Sequence, residues 1–339
     1  MIIIEPNVEI IEQEPGLNGL FKQIELAGRT CYKSEDLITN DSAEKFVNRM
    51  IKSNHGAMLE HGTLYLDLTL GSPIADKDYM YKVTIIQIFK KNPYSVVNKY
   101  TKTIDIEGTT VNMEHYAITT NYRVFIEQID WEKLGPMRRD KIHGFELGLD
   151  KDFVLSFMCE PTEYHEKRVT VRFSTDRGVS AEANRHRVDS PAEQSTRYCD
   201  YSSDKFNKQV SISSNADFTK DEIQDALSAI EVDGQILQPL CKDIINGDDK
   251  QWEIITTWIF ANAACEYSYL KLLRDGWVAQ QARRVLPLDL HTELVHTAFV
   301  KDWKHFLDLR SKGTTGKPHP DMKLVADPLY ELFTQKHII

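Results

Sequence analysis

The order of hydrophobic and polar positions predicts strands in the first part of the chain. Residues 2–11 are rich in isoleucine and valine and are predicted as a strand. Residues 63–70 alternate strictly between leucine and other side chains, which is typical of a strand buried on one face. Residues 168–174 alternate in the same way. The predicted inner face of this last strand consists of Val169, Val171 and Phe173.

A helix and a turn-rich segment are predicted between these strands. Asp41 followed by Glu44 can cap a helix whose apolar residues share one face. That face consists of Phe46, Val47, Met50 and Ile51. From about residue 71 to 166 the pattern is strand-like, with a charged loop at 137–144. The strands predicted in this segment cover residues 83–89, 114–120 and 121–129.

Beyond residue 220 the hydrophobic positions take the spacing of helices. Apolar residues predict helices over 223–230, over 252–274 before Gly276, over 280–285 before Pro287, and around Trp303, Phe306 and Leu307. Strands come first and helices later, without regular βαβ alternation. This order predicts an α+β fold with a mixed or antiparallel sheet and a largely helical C-terminal half.

Composition excludes several classes of protein. The 339 residues carry 41 lysines and arginines against 51 aspartates and glutamates, and this net charge of −10 argues against a protein that coats nucleic acid. No apolar run approaches the roughly 20 residues of a membrane span, and the first residues lack the basic region of a signal peptide. We therefore expect a soluble, cytoplasmic protein. The five cysteines are scattered and odd in number, so neither disulfides nor a thiolate metal site is expected.

Several local motifs are too weak to assign a chemistry. The chain has no GxGxxG sequence, and GTTGKP at 313–318 has the wrong spacing for a phosphate-binding loop. NHGAMLEH at 54–61 lacks the spacing of a zinc site and is interpreted as a polar turn. Cys199 lies near several arginines, but no histidine base accompanies it, which favours a structural thiol.

The most informative segment covers residues 175–202. Arg185, His186 and Arg187 are consecutive, and Ser195 follows after seven residues. Acidic residues balance the arginines of this segment; they are Glu182, Asp189 and Glu193. Such a balance suits a compact polar pocket in which arginines bind phosphate. It equally suits a solvated, salt-bridged loop, and local composition leaves both interpretations open.

The spacing of these residues resembles a family signature. Arg185-His186-Arg187, seven residues and Ser195 resemble the RHR-X7-S signature of flavin-dependent thymidylate synthases, and Glu193, Arg197 and Tyr198 also match. Further blocks resemble the same family at 28–34, 55–61, 280–310 and 319–322. Together the blocks span about residues 1–70 and 165–335.

The resemblance implies an activity and a domain organisation. Members convert dUMP to dTMP with a methylene group from methylenetetrahydrofolate and reducing equivalents that pass from NADPH through FAD. It implies one family-type domain over 1–339 with an insertion at about 71–166, to which we assign no function. It also implies a homotetramer with active sites between subunits.

The resemblance also assigns site residues. The implied dUMP ligands are Glu182, Arg185, Glu193, Ser195, Thr196, Arg197, Arg283 and Arg310. The implied FAD contacts are Cys31, Ala57, Arg185, His186, Arg187, Glu193, Phe299, Lys301 and His305. Arg310 is the implied catalytic residue, because the family uses this position to polarise the uracil ring. A fixed cation beside a developing anion stabilises the transition state, and no enzyme cysteine is needed.

Two other functions of the same pocket are considered. The protein could be an NADPH oxidase that uses FAD without methyl transfer, or a scaffold protein that has lost catalysis. A nucleic-acid-binding module built on the arginine cluster is a third alternative, which the net charge of −10 disfavours.

Overall fold

The computed structural model describes residues 1–72, 74, 76–106, 109–129, 131 and 150–339. The predicted charged loop at 137–144 lies outside the described residues. The strands are β1 (Ile2–Ile4), β2 (Asn7–Ile11), β3 (Thr63–Leu70), β4 (Val96–Ile106), β5 (Thr109–Asn121), β6 (Arg168–Asp176), β7 (Ser190–Glu193), β8 (Ser211–Ser213) and β9 (His291–Phe299). The α-helices are α1 (Gly16–Tyr32), α2 (Ser42–Lys52), α3 (Tyr79–Lys91), α4 (Lys151–Leu155), α5 (Arg177–Ala183), α6 (Lys220–Ile230), α7 (Leu237–Asn246), α8 (Ile254–Arg274), α9 (Ala279–Ala282), α10 (Val300–Arg310) and α11 (Pro320–Gln335).

A four-stranded antiparallel sheet in the order β2–β6–β9–β7 supports the segments of the RHR signature. The strand predicted over 168–174 is confirmed as β6, and Val171 and Phe173 are buried on its inner face. The residues of α10 and α11 that pack in the same core are Trp303, Phe306, Leu307, Met322, Val325, Ala326, Leu329 and Phe333. The indole of Trp303 also donates a hydrogen bond to the carbonyl of Val169 at 2.9 Å. This core fixes the start of α10 against β6.

β9 lies in the middle of this sheet, and the hydrophobic pattern does not predict it. Its sequence, HTELVHTAF, interrupts the apolar positions with His296 and Thr297, yet both side chains are fully buried. Each has a polar partner there, because His296 contacts Asp189 and Thr297 contacts Thr170. Buried polar groups are tolerated when they are hydrogen-bonded, so this strand could not be recognised from hydrophobicity alone.

A second antiparallel sheet, in the order β3–β5–β4, has its own core. The strand predicted over 63–70 is confirmed as β3, but the prediction that one face is exposed is wrong. The leucines pack in the core, and Tyr65 on the other face is also buried, with its ring edge against His165. The segment that contains His165 therefore covers the face that alternation assigned to solvent.

Two of the strands predicted between residues 71 and 166 are wrong. Residues 83–89 belong to helix α3, whose buried residues Ile85, Ile86 and Phe89 have helical spacing. Residues 121–129 form a wide helical turn over Val124–Gln128 instead of a strand. The side chain of Asn121 accepts a hydrogen bond from the backbone N–H of Val124 at 3.0 Å and ends β5. The strand predicted over 114–120 lies within β5 and is confirmed.

Two details at the N-terminal end also differ from prediction. Residues 2–11 form two strands in different sheets, because β1 pairs in parallel with β8 whereas β2 pairs with β6. Pro6, which has no N–H to donate, lies at the break. The helix predicted after Asp41 is confirmed as α2, but Asp41 makes no side-chain capping bond.

The predicted helices beyond residue 220 are confirmed. They correspond to α6, α8, α9 with the following short turn, and α10. Together with the antiparallel sheets they confirm the α+β prediction. Within the described ranges, no helix is both long enough and apolar enough to cross a membrane.

Candidate functional site

The RHR segment lies on a loop between α5 and β7. Helix α5 begins directly after β6, where the side chain of Asp176 accepts a hydrogen bond from the N–H of Val179 at 2.8 Å. The chain then turns through residues 184–189 and returns as β7 beside β9. This path places Arg185, His186 and Arg187 close to the helix that ends in Arg310.

The guanidinium group of Arg310 is held by three acceptors. It donates to the Glu182 carboxylate at 2.6 Å, to the Glu182 carbonyl at 3.1 Å and to Nε2 of His186 at 3.2 Å. A guanidinium has five N–H groups, so these bonds leave one N–H on each terminal nitrogen for another acceptor. Glu182, which the resemblance implies as a ligand of dUMP, binds and orients Arg310 in this structure.

His186 accepts this bond because it is uncharged. The pKa of His186 is lowered to about 4, mainly by burial; the nearby charge of Arg310 acts in the same direction and Asp189 opposes it. The imidazole ring lies 4.8 Å from the ring of Phe306. At neutral pH it is therefore a neutral support for Arg310 and is not available as a second cation.

A cavity of about 710 Å³ lies beside this group. Arg185 and Arg310 line it together with Lys317 and His319. Within the described part of the chain, the side chain of Arg185 has no hydrogen-bonding or ion-pair partner. The GTTGKP sequence at 313–318 forms part of the cavity wall, although its spacing does not match a phosphate-binding loop.

Glu193 lies where α5, β7 and β9 meet. Its carboxylate receives hydrogen bonds from Ser180 at 2.5 Å and Thr292 at 3.2 Å and forms an ion pair with Arg177 at 2.7 Å. The resemblance implies that this residue contacts both dUMP and FAD. In the structure its carboxylate connects three elements around the site.

Two of the remaining implied dUMP ligands line a different cavity, of about 370 Å³. Arg197 and Arg283 line it together with Gln280, which accepts a hydrogen bond from Arg197 at 3.2 Å. Arg283 donates to the hydroxyl of Thr196 at 3.2 Å. The backbone N–H of Ser195 is fixed by the carbonyl of Cys31 at 2.8 Å. Within one chain, Arg185 and Arg310 therefore line one cavity and Arg197 and Arg283 line another.

The implied FAD contacts Arg187, Phe299 and Lys301 line a third cavity, of about 600 Å³. The Lys301 ammonium lies 5.3 Å from the centre of the Phe299 ring. Among the described residues, neither Arg187 nor Lys301 has a carboxylate partner within ion-pair distance. Two cations in this cavity are thus available to an anionic ligand.

The other implied flavin contacts are more dispersed. Ala57 is exposed on the short turn Gly56–His61, and His305 is exposed with its ring 6.1 Å from that of His186. Burial raises the pKa of Cys31 to about 12 and also raises that of Cys199, so both remain neutral thiols at physiological pH. Neither cysteine is suited to act as a nucleophile.

Glu60 and His61 of the 54–61 segment have protein partners. Glu60 forms an ion pair with Arg123 at 2.6 Å. His61 is fully buried and contacts the hydroxyl of Thr297 at 2.9 Å, and burial lowers its pKa to about 3. Across the residues that the structure describes, no group of three histidine, cysteine or acidic side chains is arranged to hold a metal ion.

Two arginines near the site were missed by sequence reasoning. Arg177 pairs with Glu193, and Arg168 donates to the carbonyl of Glu60 at 2.9 Å from the edge of the third cavity. Burial lowers the pKa of Arg168 to about 10. Both arginines lie at strand ends, and the partners are too distant in sequence for a local motif to reveal.

A family model and a curated relative each match about half of the chain. Residues 161–337, slightly more than half of the chain, match the family model described as thymidylate synthase complementing protein. The "Probable flavin-dependent thymidylate synthase" of Paramecium bursaria Chlorella virus 1 is 24% identical over 168 residues, which are 50% of this chain and 67% of that protein.

Solved structures of the UMP/dUMP methylase PolB from Streptomyces cacaoi are also similar. The form bound to 5-Br UMP has a TM-score of 0.38 and 13% identity, covering 98% of this chain and 91% of its own. The form bound to 5-Br dUMP has a TM-score of 0.37 and 14% identity, covering 99% and 93%.

Proposed function

The chain belongs to the thymidylate synthase complementing protein family, and we propose that it methylates dUMP to dTMP as a flavin-dependent thymidylate synthase. In this proposal methylenetetrahydrofolate is the carbon donor and NADPH the reductant. The curated relative from the Chlorella virus carries the name of the same activity. The RHR-X7-S residues fall within the matched range 161–337.

One observation carries the proposal, namely the Arg310 guanidinium at the edge of its cavity. Glu182 and His186 hold it in place while two N–H groups remain unused. A cation fixed in this way needs little reorganisation when charge develops on a bound uracil ring. A preorganised donor of this kind contributes about 3–4 kcal/mol to stabilising a transition state.

The residues of the third cavity fit an anionic dinucleotide such as FAD. Arg187 and Lys301 supply positive charge without described carboxylate partners, and Phe299 supplies an aromatic surface. When bound, FAD would supply the redox chemistry that NADPH-dependent methylation requires. The protein's part is to hold the phosphates and to orient Arg310 toward the substrate.

The remaining polar residues are proposed to have two roles, binding of dUMP and support of the site. We assign Ser195, Thr196, Arg197 and Arg283 to dUMP, whose phosphate matches the two arginines. Glu193, fixed by Arg177, Ser180 and Thr292, keeps β7 in register with α5 and β9. Because the thiols of Cys31 and Cys199 are neutral, we propose that no cysteine attacks the uracil ring.

We further propose that the whole chain is one family-type domain with 71–166 as an insertion, and that it acts as a homotetramer. The division of the implied dUMP ligands between two cavities of one chain supports a site completed by a neighbouring subunit. Such a site would join the Arg310 cluster of one chain to the Arg197 cluster of the next.

The purified protein provides the test. We expect a flavin absorbance spectrum that NADPH bleaches, reoxidation on addition of dUMP and methylenetetrahydrofolate, and dTMP among the products. A protein that binds neither FAD nor dUMP would contradict the proposal. Flavin reduction and reoxidation without dTMP would instead identify an NADPH oxidase.

A further inference from the structure

The insertion forms one wall of the third cavity. Arg187, Phe299 and Lys301, outside the insertion, also line this cavity. Within the insertion, the lining residues are 93–96, between α3 and β4, and Asn121, Arg123, Val124 and Gln128, at and after the end of β5. Both of these stretches lie within 71–166, the segment to which the family resemblance assigns no role.

This wall is held in place by specific bonds. Arg123 pairs with Glu60 at 2.6 Å and with Glu127 at 2.8 Å, which ties the insertion to the preceding segment. The side chain of Asn92 donates to Gln128 at 2.9 Å and so joins the two stretches of the wall. The same side chain accepts a hydrogen bond from the N–H of Tyr94 at 2.9 Å. The backbone that carries Tyr94 is therefore fixed.

The two walls differ in chemistry. Tyr94 contributes a large aromatic side chain that remains 56% exposed. Arg187 and Lys301 contribute positive charge, and among the described residues no carboxylate lies within ion-pair distance of either, although Asp302 also lines the cavity. Glu60 and Glu127 neutralise Arg123. Nucleotides are recognised by this combination, in which a base stacks on an aromatic ring and its phosphates contact cations.

The position of the cavity indicates which half of a dinucleotide it would hold. Arg185 lines the cavity of Arg310, where the proposed function puts the uracil ring, while Arg187 lines the cavity of Tyr94. The reacting flavin ring must lie against the uracil ring, so it belongs near Arg185. The half that does not react then extends past Arg187.

We propose that the insertion completes the FAD site, with Tyr94 stacking on the adenine base and Arg187 and Lys301 contacting the phosphates. The inference rests on the proposed function. It adds to the FAD site residues of the insertion, which are not part of the family signature. It predicts that FAD is held more tightly than FMN, because FMN lacks the adenosine half.

The test compares FAD and FMN binding to Tyr94→Ala and wild type. Full-length protein, freed of bound flavin by dialysis, is titrated with each flavin up to millimolar concentration, with flavin fluorescence as the readout. Tyr94→Phe keeps the ring and is the conservative variant. Tyr267→Ala removes a tyrosine that is 53% exposed on α8, outside the cavity, and is the matched control.

We expect Tyr94→Ala to weaken FAD binding by about 5- to 100-fold, the range for loss of one stacked base, and to leave FMN affinity within twofold. Tyr94→Phe and Tyr267→Ala should match wild type for both flavins. Unchanged FAD affinity in Tyr94→Ala, or an equal loss for FMN, would overturn the inference while the proposed function stands. A wild-type protein without affinity for FAD would overturn both.

Discussion

At the scale of single residues, Arg310 is the side chain on which turnover depends most. We expect Arg310→Ala to lower kcat by about 100- to 1,000-fold, because it removes a preorganised donor at the position where charge develops. The neutral His186 does not replace that charge. The rate of dTMP formation at saturating substrates measures the effect.

A matched control separates this loss from a general effect of removing an arginine. Arg172 is also half-buried and paired, but with Glu9 on the sheet and away from the three cavities. Arg172→Ala should retain wild-type kcat, and both variants should keep the circular dichroism spectrum of the wild type. Turnover by Arg310→Ala close to that of wild type would contradict the role assigned to Arg310.

Ser195 and Arg197 are expected to contribute unequally to dUMP binding. The side chain of Arg197 makes one described hydrogen bond, to Gln280, which leaves charged N–H groups for the phosphate. Ser195 offers one neutral hydroxyl, which already accepts a bond from the N–H of Arg197. Since a charge-assisted bond is the stronger, Arg197→Ala should weaken dUMP binding by about 10- to 100-fold and Ser195→Ala by less than about 10-fold. Isothermal titration that gave equal affinities for the two variants would contradict this order.

At the scale of elements, Glu193 connects α5, β7 and β9. Glu193→Gln keeps the shape of the side chain but removes the charge opposite Arg177, whose Nε is buried without a partner among the described residues. Leaving a partly buried charge unpaired costs stability, and we expect a decrease of about 1–3 kcal/mol in the free energy of unfolding. Urea denaturation measures it, and Glu231→Gln, on an exposed side chain, is the control. A midpoint equal to that of wild type would show that the junction does not depend on this charge.

The elements also show what the sequence could and could not predict. Helical spacing identified α8 and α10, and alternation identified β3 and β6, because those patterns reflect burial of one face by apolar residues. The hydrophobic pattern misses strand β9 because buried polar residues interrupt it, namely His296, which contacts Asp189, and Thr297, which contacts Thr170. Residues 83–89 were assigned to a strand because short apolar runs fit either period.

For the candidate site, the sequence predicted individual residues but not the contacts between them. The signature spacing identified Arg185, His186 and Arg187, and the structure brings His186 into contact with Arg310 from 124 residues away. Sequence could not indicate that Glu182 would bind Arg310, nor that Arg177 would pair with Glu193. Those pairs depend on the return of the chain through β7, which is a property of the tertiary fold.

At the scale of the whole molecule, buried histidines make stability depend on pH. Burial lowers the pKa of His61 to about 3 and those of His186 and His291 to about 4, below the usual value near 6.5. Between pH 6.5 and 4 the unfolded chain binds more protons than the folded one, so the free energy of unfolding falls as the pH is lowered. Each such histidine contributes about 1.4 kcal/mol per pH unit in this window.

A histidine variant separates the contribution of His186 to the pH dependence of stability from that of the carboxylates. We expect His186→Asn to lose less stability than wild type between pH 6.5 and 4.5, because one of the three groups no longer takes up a proton on unfolding. Urea denaturation at several pH values measures the difference. The same pH dependence in both proteins would show that His186 is not protonated on unfolding in this range.

At the scale of the whole molecule, the proposed dUMP site requires residues from more than one subunit. Arg310 lines one cavity and Arg197 with Arg283 another, although one dUMP molecule is proposed to contact all three. If a site takes Arg310 from one subunit and Arg197 from the next, the two clusters need not meet within a chain. Light scattering should then give a mass about four times the 39.1 kDa of the chain.

Mixed assemblies test whether the clusters come from different subunits. Arg310→Ala and Arg197→Ala each damage every site in a pure assembly, but random mixing would leave about a quarter of the shared sites with both arginines. We therefore expect co-refolded variants, assayed at limiting dUMP, to exceed the mean activity of the two pure variants. Refolding each variant alone controls for losses on refolding. If both arginines came from one chain, no mixed site would be intact, and activity at or below that mean would contradict a shared site.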